Sequence, residues 1–281
     1  MAVNIAQSNY GKSRVRLIKV ARDSDCHEIQ NLSIDIALEG DFDAIHKEGD
    51  NSLCLPTDTM KNTVYALAGE TRDIEEVEAF GIRLASYLLA NNEQVRRVRL
   101  NLAEHGWKRI KLAEGEHDHS FVRGSAEKHI ALIDSTRENT SLQAGVEDLI
   151  VLKTTRSGFA GFPRDKYTTL PEATDRIFST AIKAVWRYET PRAASDHVFH
   201  AIRQTIIEIF ATHDSLSVQH TLYAMGEAVL ERFLEISEIS ISLPNIHCLP
   251  IDMTKFGQKN ENRIFVPTDE PHGLIEARLT R

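Results

Sequence analysis

The order of elements predicts an α+β protein with antiparallel sheets. Three observations predict it. Strand-like runs come in adjacent pairs, and close pairs favour hairpins. Two helical stretches with one apolar face follow each pair. The order of strand pair, two helices and strand pair then occurs twice along 281 residues.

The first strand is expected from Tyr10 to about Asp23. Leu32, Ile34, Ile36 and Leu38 alternate with Ser33, Asp35 and Ala37, a half-buried strand ending at Gly40. Pro56 stops an extended run. Thr57, Asp58 and Thr59 are all good N-caps, so Thr57 is expected to open a helix through Leu67. A second helix is predicted over 73–91, with Ile74, Val77, Leu84 and Leu88 on one face. Strands are predicted at 94–111, 119–123 and 129–134. The second half gives a strand at 147–155, a Gly-rich turn at 157–162 and a strand within 176–189. Helices at 193–212 and 215–234 follow, then strands at 238–250 and 274–279.

Composition narrows the classes. A hydrophobic content of 42% supports a real core, and 26% charged residues argue against a membrane protein. A net charge of −8 makes a poor nucleic-acid binder, since phosphate contacts need clustered Lys and Arg. It also repels small anions, so anion capture must rest on local positive groups. Cys26, Cys54 and Cys248 form no CxxC pair and no disulfide framework is expected. No signal peptide is visible, and the end Ala277–Arg281 lacks a Ser-Lys-Leu address. The expectation is a cytoplasmic protein without nucleic-acid or membrane partners.

Several stretches carry possible chemistry. A helix beginning near Thr57 offers unpaired N–H groups and a partial positive charge to an anion. Lys12, in Tyr10-Gly11-Lys12, is ordinarily a solvated charge, but a desolvated lysine can act as a base. Phe159 lies in the glycine-punctuated run Ser157–Phe162. Its ring could fill the core or stack on a planar ligand. Arg176 could pair with Asp175 or Glu172, or grip a flat heterocycle with its planar fork. Gln219, by default a surface residue, carries an amide that donates and accepts. In Ser242–Cys248, strand alternation puts Asn245 and His247 on one side with Ile239, Ile241 and Leu243, provided Pro244 makes no bulge.

The wording of these stretches resembles the urate oxidase (uricase) family. The resemblance runs from about Tyr10 to Ile275. It rests on Tyr10-Gly11-Lys12, the run Asn51–Ala66, the run Ser157–Glu172 with Arg176, Val218-Gln219, the run Ser242–Cys248, and Pro271–Glu276. It implies two tandem tunnelling-fold (T-fold) modules, at 1–138 and 139–281, with antiparallel sheets and paired helices on one face. It implies a homotetramer with active sites at subunit interfaces. The substrates implied are urate and dioxygen, with no cofactor and no metal.

Residue roles follow from the same resemblance. Lys12, Thr57 and His247 form the proton relay. Thr57, Asp58, Phe159, Arg176, Val218, Gln219 and Asn245 bind substrate, with Arg176 and Gln219 as tweezers. Thr57 and Asn245 hold dioxygen or water. Thr57 and Asp58 come from one subunit, and Phe159, Arg176, Val218, Gln219 and Asn245 from its neighbour. Ile275 lines the far side of the pocket. The chain stops at Arg281, where many relatives have a longer tail.

Two other readings stay open. One is a zinc T-fold enzyme acting on a purine or pterin, for which His117-Asp118-His119 or His197 and His200 would supply ligands. The other is a purine-binding relative without turnover.

Overall fold

The computed structural model describes residues 3–268 and 270–281. They fall into two compact units. One holds the chain up to Gly145 together with Arg187–Asp196. The other holds Val146–Trp186 and His197–Arg281.

In the first unit β1 (Tyr10–Ala21), β2 (Glu28–Gly40), β3 (Val95–Leu112) and β4 (Gly115–Thr136) are antiparallel neighbours in that order. Leu32, Ile34, Ile36 and Leu38 of β2 are all buried, as their alternation requires. Ile36 faces Leu100 of β3, which faces Ile133 of β4, so one apolar row crosses three strands. Each such side chain contributes about 1.5–3 kcal/mol by leaving water.

Helix α1 (Asp43–Lys47), α2 (Thr57–Glu70) and α3 (Val77–Ala90) lie between β2 and β3 in the chain. Helix α2 buries Met60, Val64 and Leu67 and packs on β1 and α3. Helix α3 buries Val77, Phe80, Leu84 and Leu88 and packs on β3 and β4. Both stripes follow the 3.6-residue period.

The second half of the chain supplies β5 (Thr140–Lys153), β6 (Phe178–Tyr188), α4 (Asp196–Thr212), α5 (Val218–Arg232), β7 (Ile236–Pro250), β8 (Phe265–Thr268) and β9 (Leu274–Thr280). Strand β7 pairs antiparallel with β9 over Glu238–Pro244 and with β8 over His247–Pro250. Helix α5 packs on both β7 and β9. Trp186 is wholly buried, 5.7 Å from the Phe199 ring of α4. All three cysteines are free thiols.

The duplicated order of paired strands and paired helices is therefore present. Five details differ from expectation. Strand β5 begins at Thr140 rather than near residue 147. Pro56, with φ −57° and ψ 135°, takes the N-cap position of α2, so Thr57 is the first helical residue and not the cap. Helix α3 starts at Val77 rather than near Asp73, because Glu76 before it is extended. The two strands expected at 119–123 and 129–134 are one strand of 22 residues. Register shifts near Trp107 and Lys111 let β3 and β4 stay paired where the alternation fails. Helix α1 and strand β8 are short additions that the patterns did not indicate.

Candidate active site

The first unit places Lys12, Thr57 and Asp58. Gly11 must pass within a side chain's width of β2: a Cβ there would lie 1.7 Å from the Ile36 carbonyl oxygen. Directly after Lys12 the β1–β2 register shifts. Arg14 adopts φ 57°, and its N–H donates to Asp35 Oδ1 at 2.6 Å. A bulge at that point re-aims the neighbouring side chains, Lys12 among them.

Tyr10 anchors the same segment. Its ring meets Phe42 edge-on at 4.8 Å, and its hydroxyl is buried with no hydrogen-bond partner among the described residues. Burial, followed by the Cys54 charge, pushes the Tyr10 pKa up to about 12. The start of β1 is thereby packed against Phe42, the residue that precedes α1.

Thr57 is half-buried, and its N-terminal position leaves first-turn N–H groups without helical acceptors. Asp58 is exposed. Lys61 Nζ donates to its Oδ1 at 2.5 Å and Asn62 Nδ2 to its Oδ2 at 3.0 Å. The Lys61 hydrogen bond and charge hold the Asp58 carboxyl below its usual range, and Lys12 adds a smaller effect in the same direction.

In the second unit the loop at 157–161 and the start of α5 are joined. Ser157 and Ser215 form a parallel bridge, Gly158 N–H donates to the Ser215 carbonyl at 2.8 Å, and Arg176 N–H donates to the Ser157 carbonyl at 2.7 Å. Gly161 turns the loop with φ 72°, a conformation that glycine adopts without strain. Phe159 is half-buried and lies parallel to Phe162, with centroids 4.9 Å apart. It does not fill the core.

The Arg176 guanidinium sits 5.3 Å from the Phe159 ring centroid. Neither expected carboxylate pairs with it. Asp175 accepts from Thr155 Oγ1 at 2.7 Å and Ser157 N–H at 3.3 Å, and Glu172 accepts from Gly161 N–H at 3.3 Å. Among the described residues no carboxylate lies within ion-pair distance of Arg176. Burial lowers its pKa from the ordinary value. A half-buried cation without a counter-ion is set up to receive an anion.

Val218 is buried at the first position of α5, and Gln219 beside it is exposed. Ser217 caps the helix by accepting from His220 N–H at 3.1 Å. The cap serves His220 and leaves the N–H groups of Val218 and Gln219 without helical acceptors. Phe159, Arg176, Val218 and Gln219 thus belong to one hydrogen-bonded framework.

Asn245 and His247 sit where β7 changes partner. The register with β9 runs unbroken through Pro244, so the proline makes no bulge. Asn245 N–H then donates to the Gly273 carbonyl at 2.8 Å, and His247 pairs with Thr268 of β8. Ile239, Ile241 and Leu243 are buried and Asn245 and His247 half-buried. Ile275 faces Leu243 across the ladder.

The bulge after Lys12 and the Tyr10–Phe42 contact escaped the sequence reading. The glycine next to Lys12 was the one local sign of the close approach to β2. Among the described residues, neither His117 with His119 nor His197 with His200 joins a group of three ligand atoms close enough for a metal.

The chain's resemblance is borne out by comparison. The family model described as Uricase matches residues 8–134 and 142–276. The chain belongs to the uricase family. It is 43% identical to the uricase of Arthrobacter globiformis over 279 residues, covering 99% of this chain and 90% of that one. Identity to the uricase of Dictyostelium discoideum is 36% over 281 residues, covering 99% and 97%. The crystal structure of the Arthrobacter globiformis uricase superposes with a TM-score of 0.95, covering 100% of this chain and 96% of that chain. The fold is accordingly α+β with two tandem T-fold modules, as in uricases, and the activity is that of an oxidoreductase acting on urate.

Proposed function

We propose that the chain oxidises urate with dioxygen and water to 5-hydroxyisourate and hydrogen peroxide, without a cofactor, as a cytoplasmic homotetramer. The observation that carries this reading is Arg176, a half-buried cation beside the Phe159 ring with no carboxylate partner among the described residues. Urate is a flat oxypurine anion. Phe159 stacks on its face while Arg176 and Gln219 grip opposite edges, with the Val218 N–H nearby. Phe159 and Arg176 sit on the same hydrogen-bonded loop, which supports the pairing.

Thr57, relayed to Lys12 and with His247 through water, removes a further proton from urate. The resulting dianion is electron-rich enough to pass an electron to dioxygen. Recombination gives a peroxide, and water replaces the departing peroxide to give the 5-hydroxy product. In sum urate loses two electrons, and dioxygen gains two electrons and two protons. Asn245 holds dioxygen, and then water, above the substrate plane, with Thr57. Asp58 steadies the substrate edge of α2. The protein supplies proton relay, orientation and a preorganised polar site.

Modules at 1–138 and 139–281 fit the gap between the two matched stretches, 8–134 and 142–276. No helix of the described residues is long and apolar enough to cross a membrane. The tetramer places Thr57 and Asp58 of one subunit against Phe159, Arg176, Val218, Gln219 and Asn245 of its neighbour. Subunit complementation tests this. Thr57→Ala and Arg176→Ala chains are unfolded together, reassembled and assayed at urate well below the raised KM of Arg176→Ala, where each variant alone has little activity. Shared sites predict that the mixture recovers about a quarter of wild-type sites, since random pairing restores one intact site in four. No recovery in mixed tetramers would place each site within one subunit.

A further inference from the structure

The first unit holds a second group of chemistry-bearing residues that the urate reaction does not use. Glu78, in the first turn of α3, is 1% exposed. Its Oε1 lies 2.8 Å from His129 Nε2 of β4, while its Oε2 is buried without a hydrogen-bond partner among the described residues. An unmatched buried carboxylate oxygen is costly and calls for a ligand. Asp196, the first residue of α4, is exposed and brings a third ligand atom. One atom from each of Glu78, His129 and Asp196 lies within 4.8 Å of the others.

The surroundings of His129 complete the pattern. Its Nδ1 faces Glu104 Oε2 of β3 at 3.8 Å. A carboxylate behind the far nitrogen orients an imidazole for a metal on the near one. Three carboxylates therefore surround one imidazole, an excess of negative charge for any cation to offset.

We propose that Glu78, His129 and Asp196 form a binding site for a divalent transition-metal ion, with zinc the best fit. The donors are one imidazole nitrogen and carboxylate oxygens without thiolate, a set that suits zinc and, less well, manganese. A zinc ion bonded to Nε2 and Oε1 at about 2.0–2.2 Å holds them roughly 3 Å apart, and the same carboxylate gives its unmatched Oε2 to the ion as a second oxygen. The apo separation of 2.8 Å needs little adjustment. Exposed Asp196 supplies the entry path, and water fills the remaining coordination. The ion ties the start of α3, β4 and the start of α4 together, so its role is stability. It stands outside the residues assigned to urate.

The test uses the tag-free, full-length protein, stripped with a strong chelator and dialysed. Zinc chloride is titrated in, with magnesium chloride as control, reading bound metal by elemental analysis and unfolding temperature. The expected result is one zinc per chain and an unfolding temperature raised by about 3 °C or more at a hundredfold excess over Kd. Magnesium gives neither. Asp196→Asn, an exposed change that preserves the fold, weakens zinc binding at least tenfold. The double variant His117→Ala/His119→Ala leaves it unaltered. Absence of binding, or binding lost only in the His117/His119 variant, overturns the proposal. Because the readouts are metal content and stability, failure here leaves the urate reading intact, and failure of the urate reading leaves this one.

Discussion

Arg176 and Phe159 meet as cation and ring at 5.3 Å, and no carboxylate among the described residues shares the guanidinium. That relation separates a ligand-binding arginine from a structural one. A structural arginine spends its charge on a neighbour, as Arg97 does on Asp134 at 2.6 Å. Arg176→Ala is therefore expected to raise the urate KM by about a hundredfold, in keeping with charge-assisted hydrogen bonds of roughly 1.5–3 kcal/mol. Arg176→Lys should recover only part of this, because the planar fork is lost. Steady-state kinetics with circular dichroism as a folding control checks both. An unchanged KM in folded protein would remove Arg176 from the site.

Lys12 and Thr57 are assigned to proton transfer rather than binding. Lys12→Ala or Thr57→Ala should lower kcat by about 10²–10⁴-fold, the usual range for a lost acid–base group, with a smaller change in KM. A variant that raises KM with kcat intact would place that residue in binding alone.

Gly11 is a backbone requirement of the Lys12 segment. Gly11→Ala sets a methyl group 1.7 Å from the Ile36 carbonyl oxygen, so β1 must move away from β2. The expected outcome is a destabilisation of about 2 kcal/mol or more, together with lost turnover. Denaturant unfolding measures the first and urate consumption the second.

Two histidines make the fold sensitive to acid. Burial, then the His220 and Lys153 charges, lowers the His213 pKa below its ordinary 6.5. Burial, then Arg16, Arg123 and Lys128, does the same for His105. The unfolded chain binds a proton at each near pH 6.5, and the native chain binds it only at lower pH. Stability is therefore full above about 6.5 and falls as pH drops through the folded values. Unfolding midpoints from pH 7.5 to 5 should decline, and His213→Gln should flatten the decline. A midpoint that rises on acidification would contradict this account.

Much of the fold is legible because its signals are local. Leu32 to Leu38 alternate for the plain reason that one face of β2 is buried. Val218, Leu222, Met225 and Val229 recur at helical spacing because α5 lies on β7 and β9. The details that stayed hidden depend on distant residues. The bulge after Lys12 needs Asp35 from the next strand to hold Arg14. Pro56 outcompeted Thr57 for the cap through its own backbone geometry, with no side-chain cap formed. Phe159 and Arg176 were visible as residue types, but the choice between core and ligand required knowing that Asp175 and Glu172 were already engaged. Glu78, His129 and Asp196 come from three distant stretches, and no spacing links them.

The central claim is cofactor-free oxidation of urate, and the most direct measurement follows urate loss by ultraviolet absorbance alongside oxygen uptake. Purified protein, with and without a strong chelator, is assayed well below its unfolding temperature. One dioxygen consumed and one hydrogen peroxide formed per urate, at a rate unaffected by the chelator, is the result this account predicts. Urate loss that the chelator abolishes while the protein stays folded would contradict it, as would a folded protein that consumes no urate.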